Sequence, residues 1–327
     1  LQNLHERHDK LFLPMQNEVI KYNNCKFQKV YVNGFQSFRN FLNNNPEFEV
    51  ILKNKKSFTL SARSASLIAS LYKEKVEFDL KNDLIIIKNK SKIISKNEKI
   101  IFYNAIENGD VYHVFIKNEY AKLKVKGKTI IDIGANIGDS LIYFALKGAK
   151  KTIGFEPFYN NFYFAKKNIK ENSLEEKCEV VLAGCSKKSG NIKLNPNMKS
   201  DVDSKLQYSN EGEEIPLYSL HQIINDFNVP PKSILKMDCE GCEYDSIITA
   251  TKETLTTFDE ILLEYHHGYL DLKKKLEDCG FIVIITTPIS TGFIGKYLKM
   301  FKMKKENIIN DFKPGYSGMI HAIKINN

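Results

Sequence analysis

The spacing of apolar residues changes near Lys128. Beyond that point, short apolar runs ending in Gly or an acid alternate with stretches of helical spacing. TIIDIG (129–134), TIGFEP (152–157), CEVVLAG (178–184), SILKMD (233–238), EILLEY (260–265) and FIVIITT (281–287) read as buried strands. SLIYFALKG (140–148), FYNNFYFAKKNIKEN (158–172), YSLHQIINDF (218–227), a segment near 243–251 and GYLDLKKKLEDCG (268–280) read as the helices between them. Strictly alternating strands and helices imply a parallel α/β sheet. GMIHAIKI (318–325) closes the pattern as a last strand, with no clear helix before it. An antiparallel hairpin at one edge of the sheet is therefore expected.

Upstream of Lys128 the pattern is α+β. SARSASLIASLYK (61–73) has helical spacing and a serine at its start. VEFDL and LIIIK flank Lys81-Asn82-Asp83 as a hairpin, and KIIFYNA (99–105) and VYHVFI (111–116) read as further strands. The chain thus divides into an N-terminal α+β region, residues 1–105, and a parallel α/β domain over 106–327.

Composition narrows the function. No apolar run reaches the ~18–20 residues of a membrane span, and the opening LQNLHERHDK is too polar for a secretory leader. The formal charge is +9, but only Arg7, Arg39 and Arg63 are arginines. Sequence-specific nucleic-acid readers lean on the bidentate arginine fork, so specific nucleic-acid binding is not expected. Six cysteines at irregular spacing are no disulfide framework. They point to a reducing, cytoplasmic setting.

The chemistry gathers at strand ends. Asp132-Ile133-Gly134-Ala135-Asn136-Ile137-Gly138-Asp139 joins a strand to a helix N-terminus, where backbone amides face a ligand. A dinucleotide loop requires Gly-x-Gly-x-x-Gly, and Asn136 and Asp139 break it. Asp-x-Gly-x-x-x-Gly fits instead, a loop used for S-adenosylmethionine. Glu156 ends the next strand, 18 residues after Gly138. A carboxylate there can accept from both hydroxyls of a ribose. A nucleotide-dependent oxidoreductase and an RNA methyltransferase are the alternatives this pattern leaves open.

KMDCEGCE (236–243) ends the fourth strand with three acids and a Cys-x-x-Cys. Side-chain alternation sets Lys236, Asp238 and Glu240 on one face and Met237 and Cys239 on the other. Zinc would need two more ligands at suitable spacing, and a thioredoxin-type pair would open a helix after a first strand. Cys239 and Cys242 therefore read as small apolar filler, and Glu243 as a cap for the following helix. Asp238 is the first candidate for proton removal from an acceptor. The fifth strand adds Glu264, His266 and His267 at the same edge, with His266 on the face of Glu264. Asp238, Glu240 and Glu264 could together attract a divalent metal, but no metal-specific spacing is present and none is expected.

VYHVFIKNEYAKLKVKGKTIIDIGANIGDS, GFEP and SILKMDCEGCEYD together resemble the FkbM family of S-adenosylmethionine-dependent methyltransferases, over roughly residues 110–285. The resemblance implies a class I, Rossmann-like methyltransferase fold, a seven-stranded sheet with its last strand antiparallel. It implies methyl transfer to a hydroxyl of a sugar, glycan, lipid or other metabolite. By position, Asp132, Gly134, Ala135, Asn136 and Gly138 would surround the methionine part of the cofactor. Glu156 would hold the ribose, and Ala183 and Gly184 would lie near the adenine. Asp238, Glu240 and His266 would then be catalytic, and residues 1–105, outside the resemblance, would be a family extension or a substrate-recognition region. The fourth strand lacks the Asn/Asp-Pro-Pro-Tyr of many nitrogen methyltransferases, which favours an oxygen acceptor. Between the last two strands, Ile294, Tyr297, Leu298 and Phe301 fall at helical spacing among lysines. Residues 293–305 are thus a candidate for a substrate lid or for peripheral contact with an anionic membrane.

Overall fold

The computed structural model describes residues 24–43, 45–88, 99–195, 212–266, 268–286, 289–290 and 316–325. After a helical stretch over 24–30 and the helix Gly34–Leu42, β1 (Glu47–Ile51) and β2 (Ser57–Ser61) form an antiparallel hairpin. The helix Ala62–Lys73 follows, capped by Ser61, whose side chain accepts from the Ser64 amide. β3 (Glu77–Asp79), β4 (Leu84–Lys88) and β5 (Lys99–Tyr103) then make a three-stranded antiparallel sheet. The expected hairpin around Lys81–Asp83 is present as β3 and β4. VYHVFI is not a strand. Tyr112–Ile116 is a π-helix, and Tyr112, Val114 and Phe115 are all buried. Alternating β-branched and aromatic residues suit a strand and a buried helical turn equally well, and tertiary packing decided here.

The main sheet contains β6 (Thr129–Ile133), β7 (Lys151–Phe155), β8 (Cys178–Val181), β12 (Ser233–Met237), β13 (Phe258–Tyr265), β14 (Phe281–Ile285) and β16 (Tyr316–Lys324), in the order β14-β16-β13-β12-β6-β7-β8. β8, β7, β6, β12 and β13 are parallel in turn, and β16 runs antiparallel to both β13 and β14. This is the expected seven-stranded sheet. The closing pair is antiparallel, as expected, but its last strand is not the edge: β16 lies inside β14, and the short β15 (Ile289–Ser290) pairs with β16. One element lies outside the sequence reading. β9 (Gly184–Cys185), β10 (Gly190–Leu194) and β11 (Glu213–Tyr218) form a small sheet beside β8, closed over Ile192, Leu194, Ile215 and Leu217. No helix among the described residues is long and apolar enough to cross a membrane.

β6 is buried at every position, because both of its faces are covered. Ile131 and Ile133 face one core with Leu235, Met237 and the helices Leu220–Asp226, Cys242–Thr249 and Leu270–Asp278. Ile130 faces a second core with Ile234, Leu262 and the helix Asp139–Leu146, and this core also takes in Phe27, Tyr31, Phe102 and Phe115 from the N-terminal part. β5 is fastened to the helix Tyr159–Glu171 by two asparagines one turn apart. Asn172 accepts from the Ile101 amide (3.0 Å) and donates to its carbonyl (2.8 Å). Asn168 accepts from the Tyr103 amide (2.8 Å) and donates to the carbonyls of Tyr103 (3.2 Å) and Ile137 (3.0 Å). Each side chain imitates a neighbouring strand, so the open edge of β5 is satisfied without one.

Asn168 is fully buried and ties β5 to the glycine loop. Asn168→Ala leaves the Tyr103 amide without its acceptor. We expect a loss of about 2–3 kcal/mol of stability, read by urea unfolding. A loss below about 0.5 kcal/mol would show that this link is not structural.

Candidate active site

Every predicted site residue lies at or just beyond the C-terminal ends of the parallel strands. The chain leaves β6 and turns sharply under β12. The amides of Gly134 and Ala135 both donate to the Phe155 carbonyl (3.0 and 3.1 Å), and the Asp238 amide donates to the Ile133 carbonyl (2.9 Å). Gly134 has φ +83°, and a Cβ there would stand 1.8 Å from the Asp238 carbonyl oxygen. Only glycine permits so close a crossing. Gly138, φ +81°, opens the helix Asp139–Leu146 against Ala165. Asn136 also takes a left-handed backbone, φ 46°.

Two buried acids hold the loop. Asp132 Oδ1 lies 2.8 Å from Lys236 Nζ, its Oδ2 accepts from the Ser140 hydroxyl, and Lys236 donates to the Gly134 carbonyl (2.9 Å). Glu156 Oε2 accepts from the Asn136 amide (2.8 Å), and Oε1 accepts from the Phe158 amide (2.9 Å) and Asn161 (3.4 Å). Burial lifts the Glu156 carboxyl to about 7, against the pull of these donors. Ala183 is buried beside it, its amide donating to the Glu156 carbonyl (3.2 Å), and Gly184 starts β9. Asp132, Gly134, Ala135, Asn136, Gly138, Glu156, Ala183 and Gly184 are thus gathered along the ends of β6, β7 and β8. Asn136 Oδ1 is buried with no hydrogen-bond partner among the described residues. Such an atom calls for a donor, which a ligand ammonium can supply.

The segment after β12 departs from the expected alternation. The strand stops at Met237, and Glu240 takes φ 57°. Glu240 nevertheless reaches the predicted neighbour, its Oε2 lying 3.2 Å from His266 Nε2, with Glu264 Oε1 at 3.8 Å from the same nitrogen. Asp238, Glu264 and His266 each place one donor atom within 4.8 Å of the others. His267 lies outside the described residues, as do 293–305. Glu243 is fully buried and reaches back to the amides of Cys239 (2.7 Å) and Gly241 (2.8 Å). It holds the bend that presents Asp238 and Glu240, consistent with its reading as a cap, and burial lifts its carboxyl to about 7.

Cys239 and Cys242 are not filler. They form a disulfide across the bend, with Cα atoms 5.6 Å apart. The left-handed residues Glu240 and Gly241 between them turn the chain so that the two side chains meet. Cys25, Cys178, Cys185 and Cys279 remain free thiols.

Sequence reading missed one flank of the site. Asp110 donates its amide to the buried Asp139 carboxylate (2.7 Å) and takes His113 Nδ1 at 3.3 Å. The bond to Asp110 pushes His113 upward. Burial pushes Glu119 up, reinforced by the charges of Asp110 and, less strongly, Asp238. His113 belongs to the π-helix that reads as a strand in sequence, which hid this flank. A mid-chain His three residues after an Asp was the available signal.

Residues 132–283 match the model of the methyltransferase FkbM domain, a stretch a little short of half the chain. A curated relative, Uncharacterized protein 158B of Sulfolobus islandicus rod-shaped virus 1, is 34% identical over 124 residues, covering 38% of this chain and 54% of the relative. The chain therefore spans about half the length of the curated relative it matches. Among solved structures, a precorrin-6y C5,15-methyltransferase from Geobacter metallireducens overlaps 73% of this chain and 94% of its own, at 15% identity and a TM-score of 0.36. The magnesium protoporphyrin IX methyltransferase of Synechocystis, solved with bound S-adenosylmethionine, overlaps 66% of this chain and 78% of its own, at 15% identity and a TM-score of 0.33. Overlaps this loose carry no argument about this chain, whereas the domain match falls on the glycine loop, Glu156 and the acid-rich strand ends described above. Over residues 132–283 the chain is thus similar to a methyltransferase FkbM domain.

Proposed function

We propose that the chain transfers a methyl group from S-adenosylmethionine to a hydroxyl oxygen of a small molecule or glycan. The observation that carries this reading is the bond from the Asn136 amide to Glu156, which makes the glycine loop and the strand-end acid one unit. Glu156 accepts from the amides of Asn136 and Phe158 and, at 3.4 Å, from Asn161, and its remaining acceptor capacity is assigned to the ribose. The buried Asn136 Oδ1 is available to the ammonium of the methionine part. Gly134, Ala135 and Gly138 let that part approach the backbone, Asp132 sets the loop through Lys236, and Ala183 and Gly184 border the adenine.

When bound, S-adenosylmethionine supplies a methyl carbon on a sulfonium, which an aligned oxygen displaces. Asp238, Glu240 and His266 are assigned to the acceptor side, where one of them takes the proton of the acceptor hydroxyl. The absence of Asn/Asp-Pro-Pro-Tyr after β12 supports oxygen over an amide or base nitrogen. With three arginines in the chain, an RNA acceptor has little to recognise it. The part before residue 106 is assigned to acceptor recognition, since its side chains share a core with the helix that opens at Gly138.

Titration calorimetry of the full chain with S-adenosylmethionine and with NAD tests the cofactor. We expect micromolar binding of S-adenosylmethionine, weakened at least about tenfold in Glu156→Ala, because a carboxylate bond to a hydroxyl is worth roughly 1.5–3 kcal/mol. Binding of NAD in its place would overturn the reading. A second prediction follows from the raised Glu156 carboxyl. Its folded value lies above the ~4.3 of an unfolded glutamate, so its contribution to stability is full below that value and is lost as pH rises through about 7. The melting temperature of the ligand-free Glu156→Gln variant, relative to wild type, should therefore climb between pH 5 and pH 8. A difference that stays flat across that range would place Glu156 in solvent.

A further inference from the structure

Asp238, Glu264 and His266 come from the ends of two adjacent parallel strands, β12 and β13. One carboxylate oxygen, a second carboxylate oxygen and one imidazole nitrogen lie within 4.8 Å of one another, and all three residues are half-buried. A further carboxylate, Glu240, stands 3.2 Å from His266 Nε2. This is a mixed oxygen and nitrogen donor set. Lys236 is bonded to Asp132 and to the Gly134 carbonyl, and its charge also acts on Asp238. The bend that carries Asp238 is rigid, held by Glu243 on two amides and closed by the Cys239–Cys242 disulfide. The donors are therefore presented on strand ends and a braced turn, the kind of support a metal site needs.

We propose that Asp238, Glu264 and His266 hold a divalent cation of the Mg2+ or Mn2+ class. Carboxylates with one imidazole suit such ions better than soft, thiolate-seeking ones. The site deepens the methyl-transfer reading and rests on it for its purpose, but not for its existence. The Asp238 carbonyl packs directly against Gly134, so the cation would sit next to the loop that takes the cofactor. Three protein donors leave an octahedral ion open to oxygens of the acceptor, which favours a polyol with adjacent hydroxyls. The cation would lower the pKa of a hydroxyl coordinated to it. The proton passes to Glu240, the oxygen bonds to the methyl carbon, and the carbon–sulfur bond breaks with its electron pair left on sulfur.

The test is Mn2+ binding to the chelator-treated full chain, followed by the loss of the aqueous Mn2+ paramagnetic resonance signal. We expect one Mn2+ per chain, displaced by Mg2+. Binding should weaken at least about tenfold in Glu264→Gln and in His266→Ala, with both variants keeping the wild-type circular dichroism. Absence of stoichiometric Mn2+ binding in the wild type, or binding unchanged in both folded variants, overturns the site. Calorimetry with S-adenosylmethionine on the same samples separates the two claims. S-adenosylmethionine binding without Mn2+ binding removes the cation alone. Mn2+ binding without S-adenosylmethionine binding supports the cation site and removes the cofactor reading.

Discussion

The buried ion pair between Asp132 and Lys236 is the constraint on which the site depends. It joins the last turns of β6 and β12, the two central strands, where side chains have almost no water around them. Burial alone would strip the lysine of its proton, but the carboxylates of Asp132, Asp238 and Asp139 hold it well above the ordinary lysine range. Lys236 also donates to the Gly134 carbonyl, so the pair sets the path of the glycine loop as well as the distance between strands. Removing either partner would leave the other charge buried alone, at a cost of about 3–5 kcal/mol. The pair therefore serves position more than stability: it fixes where Gly134 crosses under Asp238.

From that crossing the site spreads in two directions. Toward β7, the Asn136 amide reaches Glu156, and Glu156 in turn anchors Phe158 and the start of the next helix. Toward β13, the bend after Met237 carries Asp238 and Glu240 to Glu264 and His266. One direction offers the Glu156 carboxyl among backbone amides, while the other gathers the carboxylates of Asp238, Glu240 and Glu264 around His266. The proposed methyl transfer would use these two environments side by side. Their common hinge is the backbone contact between Gly134 and Asp238.

The N-terminal part is attached through hydrogen bonds as well as apolar packing. Asn168 and Asn172 lend the helix Tyr159–Glu171 to β5 as if it were a strand, and Asn168 continues to Ile137 in the glycine loop. A change in the packing of the N-terminal part thus has a short hydrogen-bonded route to the glycine loop. Elsewhere, the Asp110 amide donates to Asp139 at the start of the helix Asp139–Leu146, and His113 contacts the Asp110 carboxylate. The loop is braced at both points by residues outside the glycine motif.

Local rules made much of this legible. Alternating strand and helix periods, glycine at positions of positive φ, and acids at strand ends are properties of a few neighbouring residues, so a single chain displays them. For that reason the parallel order through β13, the loop 132–138, Glu156 and the acids of 236–243 could all be read directly. Tertiary structure decided what depends on residues far apart in sequence. It inserted β16 between β13 and β14, because antiparallel pairing there satisfies the open edge of β13. It turned 112–116 into a buried π-helix, since packing on Phe102 and Tyr143 outweighed strand propensity. It closed Cys239 onto Cys242, because a left-handed bend ended the strand earlier than alternation implied. It brought Asp238, Glu264 and His266 within reach of one another through the register of β12 against β13. Sequence by itself determined which chemical groups stand at the strand ends. Only the tertiary structure decided which of them meet, because the distance between two strand ends is set by register and packing and by nothing in either strand alone.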